Sequence, residues 1–160
     1  MSIKRRVFLQ RSAVGAAAMA AAAAGLLAPG QVLAKWSEAA FTADNTDAAL
    51  AGLFGKGSSV AGIADSDAIT IKAPDIAENG AVVPVSVKTS MAGVTSIAIV
   101  AAKNSSPLTA QFDLGARTLA QVSTRIKMGK TSAVIAVVQA NGKLYKASKE
   151  VKVTIGGCGG

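Results

Sequence analysis

The residues most able to do chemistry are Gly156-Gly157-Cys158-Gly159-Gly160, which contain the chain's only cysteine. A thiolate is a nucleophile that exchanges with disulfides and accepts covalent sulfur. A lone cysteine is usually a buried small hydrophobe, but glycine neighbours offer it nothing to pack against. Glycine also reaches backbone conformations closed to other residues, and five extended residues span roughly 16–18 Å. The run therefore reads as a thiol on a swinging tether. A frayed tail without function is the plainer reading, and an intermolecular disulfide is the usual alternative for an odd cysteine in an exported protein. A zinc site is excluded, because it takes about four ligands and the chain has one Cys and no His. Without histidine there is also no obvious general base, and nothing next to Cys158 in sequence favours the thiolate. Activation of the thiol must come from elsewhere.

The tether needs a body. Val151-Lys152-Val153-Thr154-Ile155 precedes it and alternates like a strand. From Ala68 onward the apolar period is two. Ile69 and Ile71 alternate with polar residues, and so do Val83, Val85 and Val87. Ile97, Ile99 and Ala101 follow, then Leu108, Ala110, Phe112 and Leu114, then Val122, Thr124, Ile126 and Met128. Ala133 to Ala140 is apolar on both faces, as a covered central strand would be. Glu78-Asn79-Gly80 marks a turn, and Asn141-Gly142 is a strong two-residue hairpin signal. About seven short strands with regular turns predict an all-β, immunoglobulin-like β-sandwich. Pro84 cannot donate to a ladder, which places its strand at an edge or a bulge. Ahead of the strands, Ala48, Ala49, Leu50, Leu53 and Phe54 recur at helical spacing. Thr46 is the predicted N-cap and Gly55 the stop. Trp36, Phe41, Leu50 and Phe54 form the apolar face of this short helical segment, and Gly55 to Gly62 reads as a flexible connection. Lys143, Lys146, Lys149 and Lys152 fall three apart, so successive lysines face opposite sides of a strand. They make no single binding stripe, and edge protection is the expected role.

The start of the chain reads as an address. Lys4-Arg5-Arg6-Val7-Phe8-Leu9-Gln10 resembles the twin-arginine export motif, with Gln10 where lysine is frequent. The Ala/Gly-rich stretch from Ala13 to Leu27 suits a signal h-region better than a membrane anchor. Val32-Leu33-Ala34 then predicts cleavage after Ala34. The expected organisation is a signal peptide at 1–34, a sandwich domain at 35–155 and an arm at 156–160. Cleavage removes Lys4, Arg5, Arg6 and Arg11 from 17 basic residues and none of the 9 acidic ones, leaving 126 residues with net charge +4. That mild balance, without basic clusters interleaved with aromatics, does not call for nucleic acid and is compatible with small anions. No segment of the mature chain is apolar for long enough to span a bilayer.

With these residues in hand, the chain resembles the SoxY family of sulfur carriers from periplasmic sulfur oxidation. The resemblance rests on Val151 to Gly160, on Ala73-Pro74-Asp75-Ile76-Ala77-Glu78-Asn79-Gly80-Ala81-Val82-Val83-Pro84-Val85, on Val122-Ser123-Thr124-Arg125-Ile126-Lys127-Met128, and on the twin-arginine signal. It covers essentially all of the mature chain. It implies a periplasmic protein that pairs with a SoxZ-like subunit as a heterodimer. Cys158 is then the covalent sulfur attachment site, and Gly156, Gly157, Gly159 and Gly160 form the arm. A SoxXA-like cytochrome would couple thiosulfate oxidatively to the thiol. A SoxB-like hydrolase would release sulfate, and in some systems a SoxCD-like dehydrogenase would oxidise the sulfur left behind. The protein is then a carrier and not an enzyme. It has no cofactor other than the sulfur species on Cys158, and no metal. Two other readings stand beside it: an exported structural β-domain that uses Cys158 for an intermolecular disulfide, and a ubiquitin-like carrier activated at a Gly-Gly carboxylate. The second needs ATP, which export argues against.

Overall fold

In the computed structural model, which describes residues 37–154, the alternating segments pair as strands of two sheets. The expected signal peptide, Trp36, Ile155 and the arm residues Gly156, Gly157, Cys158, Gly159 and Gly160 lie outside the described residues. Two short helices come first, α1 (Glu38–Phe41) and α2 (Thr46–Phe54). Nine strands follow among the described residues: β1 (Ala64–Asp65), β2 (Ile69–Lys72), β3 (Ile76–Ala77), β4 (Val83–Thr89), β5 (Val94–Ala101), β6 (Leu108–Asp113), β7 (Gln121–Ile126), β8 (Ser132–Ala140) and β9 (Lys143–Val153). Setting aside the two-residue β1 and β3, seven strands remain, as the turn spacing predicts.

The larger sheet runs β1-β9-β8-β5-β6, with β3 also paired to β9, and the smaller runs β2-β4-β7. Val83, Val85 and Val87 of β4 and Val122 and Ile126 of β7 face Ile97, Ile99, Val134, Ala136 and Val138 of the larger sheet in one core. Each aliphatic side chain fully buried there contributes about 1.5–3 kcal/mol. The larger sheet is also covered on its other face. Ala98 and Val100 of β5 and Ile135 and Val137 of β8 pack beneath Ala40, Ala49 and Leu50 of the two helices. β8 is thus the covered central strand that its composition predicts. β5 has the same status, which its plainer alternation concealed.

The β8–β9 hairpin closes at Asn141-Gly142, with Ala140 opposite Lys143. Asn141 has φ 51° and Gly142 φ 74°, the pair of positive values that the tight mirror-image turn requires. Asn79 Oδ1 accepts from the Ala81 N–H at 2.9 Å, which builds the expected turn before β4.

Four expectations need correcting. The N-cap of α2 is Asn45, one residue before Thr46, with its Oδ1 accepting from the Ala48 N–H at 2.8 Å. Pro84 lies in the middle strand of the smaller sheet instead of an edge strand. It is tolerated because β2 pairs β4 only from Ser86 to Thr89, so one side of the backbone at Pro84 is open. Leu108 does not share a face with Ala110 and Phe112. The register slips between Ile99 and Val100, Thr109 is left over as a bulge, and Leu108 turns to the helix face. The Gly55–Gly62 connection is tied down at its end: the Val60 N–H donates to Asp47 Oδ1 at 2.9 Å.

Candidate functional site

The described part of the site is the root from which the terminal residues leave the body. β9 ends at Val153, and both edges of its last turn of ladder are held. On one side β3 runs parallel to it, with Ile76 opposite Lys152 and Ala77 opposite Val153. The Lys152 N–H donates to the Asp75 carbonyl at 2.9 Å and the Thr154 N–H to the Ala77 carbonyl at 3.1 Å. On the other side Thr131 Oγ1 accepts from the Val153 N–H at 2.9 Å and donates to the Val153 carbonyl at 3.4 Å. Gly80 closes the packing behind. Its carbonyl accepts from the Met128 N–H at 2.7 Å. A Cβ there would collide with the Met128 carbonyl oxygen and come within 2.8 Å of Val153 Cγ1. The backbone is therefore fixed as far as Thr154. From that point the covalent chain confines Cys158 to within roughly 13–14 Å.

Two lysines of β9 secure segments that flank the strand, and Lys149 does so at the root. They fall on opposite faces, as their spacing predicts, but their work is not edge protection. Lys146 Nζ donates to the carbonyls of Val60 at 2.9 Å and Ile63 at 2.6 Å, and it sits 3.4 Å from Asp65 Oδ2. On the sandwich side Lys149 Nζ donates to the Ala73 carbonyl at 2.6 Å and meets Asp75 Oδ1 at 3.0 Å. Lone carbonyls at loop ends are costly when buried, and an ammonium that satisfies two of them stitches the loop to the sheet.

The loop that clamps Val153 has a second face. Gly129 and Lys130, just before Thr131, line an open groove together with Lys127, Arg125, Lys103 and the hydroxyl-bearing Ser105 and Ser106. Asn104 spans the two walls. Its Nδ2 donates to the Lys127 carbonyl at 2.7 Å, and its Oδ1 accepts from the Gly129 N–H at 3.0 Å. Sequence reading missed this cluster because Lys103 stands more than twenty positions from the other three cations. The Asn104 bridge joins its turn to theirs, and an asparagine in an Asn-Ser-Ser-Pro turn gives no such signal. Likewise nothing about Thr131 or Gly80 in the sequence marks them as neighbours of Val153. Among the described residues no cluster of His, Cys, Asp and Glu has the makings of a metal site.

Comparison with known proteins bears on the same region. Residues 53–158 match the family described as "Sulfur oxidation protein SoxY", a span that reaches Cys158. Among solved structures the chain is similar to the sulfur carrier protein SoxY from Chlorobium limicola f thiosulfatophilum. The two share 52% identity over 74% of this chain and 99% of that one, with a TM-score of 0.61. It is also similar, at 18% identity, to a superoxide reductase (neelaredoxin) from Ignicoccus hospitalis, over 54% of this chain and 80% of that one with a TM-score of 0.49. No curated protein matches the chain.

Proposed function

The chain belongs to the SoxY family of sulfur oxidation proteins, and from that premise we propose that it carries sulfur intermediates covalently on Cys158 and presents them to partner enzymes. The observation that carries this reading is the reach of the family match, which runs to the only cysteine of a chain that has no histidine. In the first step the Cys158 thiolate and thiosulfate form a sulfur–sulfur bond. The adduct is a thiosulfonate, and the two electrons released pass to a SoxXA-like cytochrome. Water then cleaves the bond to the sulfonate sulfur on a SoxB-like hydrolase. Sulfate leaves with its protons, and a persulfide stays on Cys158. A SoxCD-like dehydrogenase is the further acceptor where one is present.

The geometry around Thr154 is consistent with this division of labour. The root is held by backbone and side-chain hydrogen bonds, and on this reading the reach of the adduct is set by the residues that follow Thr154. A chain segment without side chains can enter a narrow active site. The protein is a substrate of its partners and performs no catalysis itself. We place it in the periplasm, exported with a SoxZ-like subunit by the twin-arginine route that Arg5 and Arg6 address.

The test is turnover with purified partner enzymes and thiosulfate. Cys158→Ser should abolish thiosulfate-dependent electron transfer. Deleting Gly156 and Gly157 shortens the reach by roughly 7 Å and should slow turnover while the thiol stays titratable. Normal turnover by the shortened chain would contradict the swinging-arm reading.

A further inference from the structure

Among the described residues the groove beside the arm's root combines a concave shape with unspent positive charge. Its volume is about 610 Å³. Lys103 comes from the turn between β5 and β6, Arg125 from β7, and Lys127 and Lys130 from the loop that leads to β8. No carboxylate lines it. None of these four side chains has an ion-pair or hydrogen-bond partner among the described residues, in contrast to Lys146 and Lys149. Thr109 is spent on the Ile99 carbonyl at 2.8 Å, but Ser105 and Ser106 keep free hydroxyls among the described residues. The Asn104 bridge sets both walls before any ligand arrives, and such preorganisation lowers the ordering cost of binding.

We propose that this groove binds sulfur oxoanions: thiosulfate itself, or the sulfonate end of a thiol-bound thiosulfonate. The choice of a sulfur anion rests on the carrier reading above; the anion preference rests on the groove alone. A guanidinium fork and several ammonium groups match the oxygens of a tetrahedral anion by charge-assisted hydrogen bonds. Ile126 is the one apolar side chain of the lining and is itself buried. The volume exceeds what a bare oxoanion needs and leaves room for one borne on a peptide. The groove also lies within reach of the proposed cargo. Lys130 precedes Thr131, the residue that holds Val153, and Cys158 is tethered to Thr154 by roughly 13–14 Å of chain.

The experiment is amide NMR of the ¹⁵N-labelled Cys158→Ser full chain, titrated with sodium thiosulfate against sodium chloride of equal ionic strength. A parallel titration uses the peptide Gly-Gly-Cys-Gly-Gly whose cysteine sulfur carries the –S–SO3⁻ group of the proposed adduct. Saturable shifts centred on Asn104, Ser105, Gly129 and Lys130 are expected. Binding of both probes, or of either one alone, supports the site and identifies the source of the anion. Arg125→Glu should weaken binding about tenfold or more, the scale of losing a charge-assisted bond, while Lys72→Glu, outside the groove, should leave it unchanged. Shifts that never saturate, that chloride reproduces, or that survive Arg125→Glu overturn the proposal. The Cys158→Ser chain cannot be loaded, so failure here leaves the carrier reading standing, and failure of the carrier reading leaves the groove's binding measurable.

Discussion

Lys146 and Lys149 of β9 and the cations of the groove are the same chemistry put to opposite uses. Lys146 is satisfied by two backbone carbonyls and a carboxylate, and Lys149 by one carbonyl and a carboxylate. Lys103, Arg125, Lys127 and Lys130 face a shared concavity and have no partner among the described residues. The first pair holds the segments around residues 60–65 and 73–75 against β9, and the second group leaves its charge available to something that is not part of the body. A charge satisfied in the fold should cost stability when removed. A charge left open should cost binding.

The largest effect should come from a change that disturbs both regions together. Gly80→Val drives a side chain into the Met128 carbonyl and Val153, and so displaces the loop that carries Lys127 and Lys130 along with the root. Overpacking of this kind costs about 3 kcal/mol, read as a lowered urea midpoint with an unchanged slope. Lys146→Met keeps the aliphatic stem but strips the donor from the Val60 and Ile63 carbonyls. With that side chain 14% exposed, the loss should be about 2 kcal/mol. The pairing with Asp65, itself 77% exposed, adds little to that figure. Lys149→Met removes the donor to one carbonyl from a side chain 31% exposed and should cost about 1 kcal/mol in the same assay. The smallest change in stability should come from the groove. Lys127→Glu should change stability in the same urea assay by no more than about 0.5 kcal/mol, the usual range for an open surface site. A stability loss there as large as at Lys146 would erase the distinction between the two groups.

Much of the sandwich was legible in the sequence because its signals are local. The alternation of Val83, Val85 and Val87 survives unchanged in β4, and Asn141-Gly142 makes the hairpin it announces. The errors arose where a distant partner decided the outcome. Pro84 reads as an edge residue until the early end of β2 opens one side of β4. Leu108 keeps strict alternation with Ala110 on paper, yet the bulge at Thr109 sends it to the helices. The Gly55–Gly62 segment carries every mark of a loose connection, yet Asp47 of the preceding helix and Lys146 from far along the chain hold its end. The candidate site divides in the same way. Cys158 stands out as the one cysteine among glycines. The root and the groove are assembled from Asp75, Ala77, Gly80, Asn104 and Thr131, whose contacts with Lys152, Val153, Thr154 and the Lys127–Gly129 backbone cross the fold.

The central claim is that sulfur rides on Cys158. Its most direct test is the mass of the intact protein, with fragmentation to place any adduct, after incubation with thiosulfate and the partner enzymes. The account predicts a sulfur adduct on the fragment that contains Cys158, removed by mild reductant and missing from Cys158→Ser. An adduct that persists in Cys158→Ser, or a wild-type chain that stays unmodified while its partners turn over thiosulfate, would contradict it.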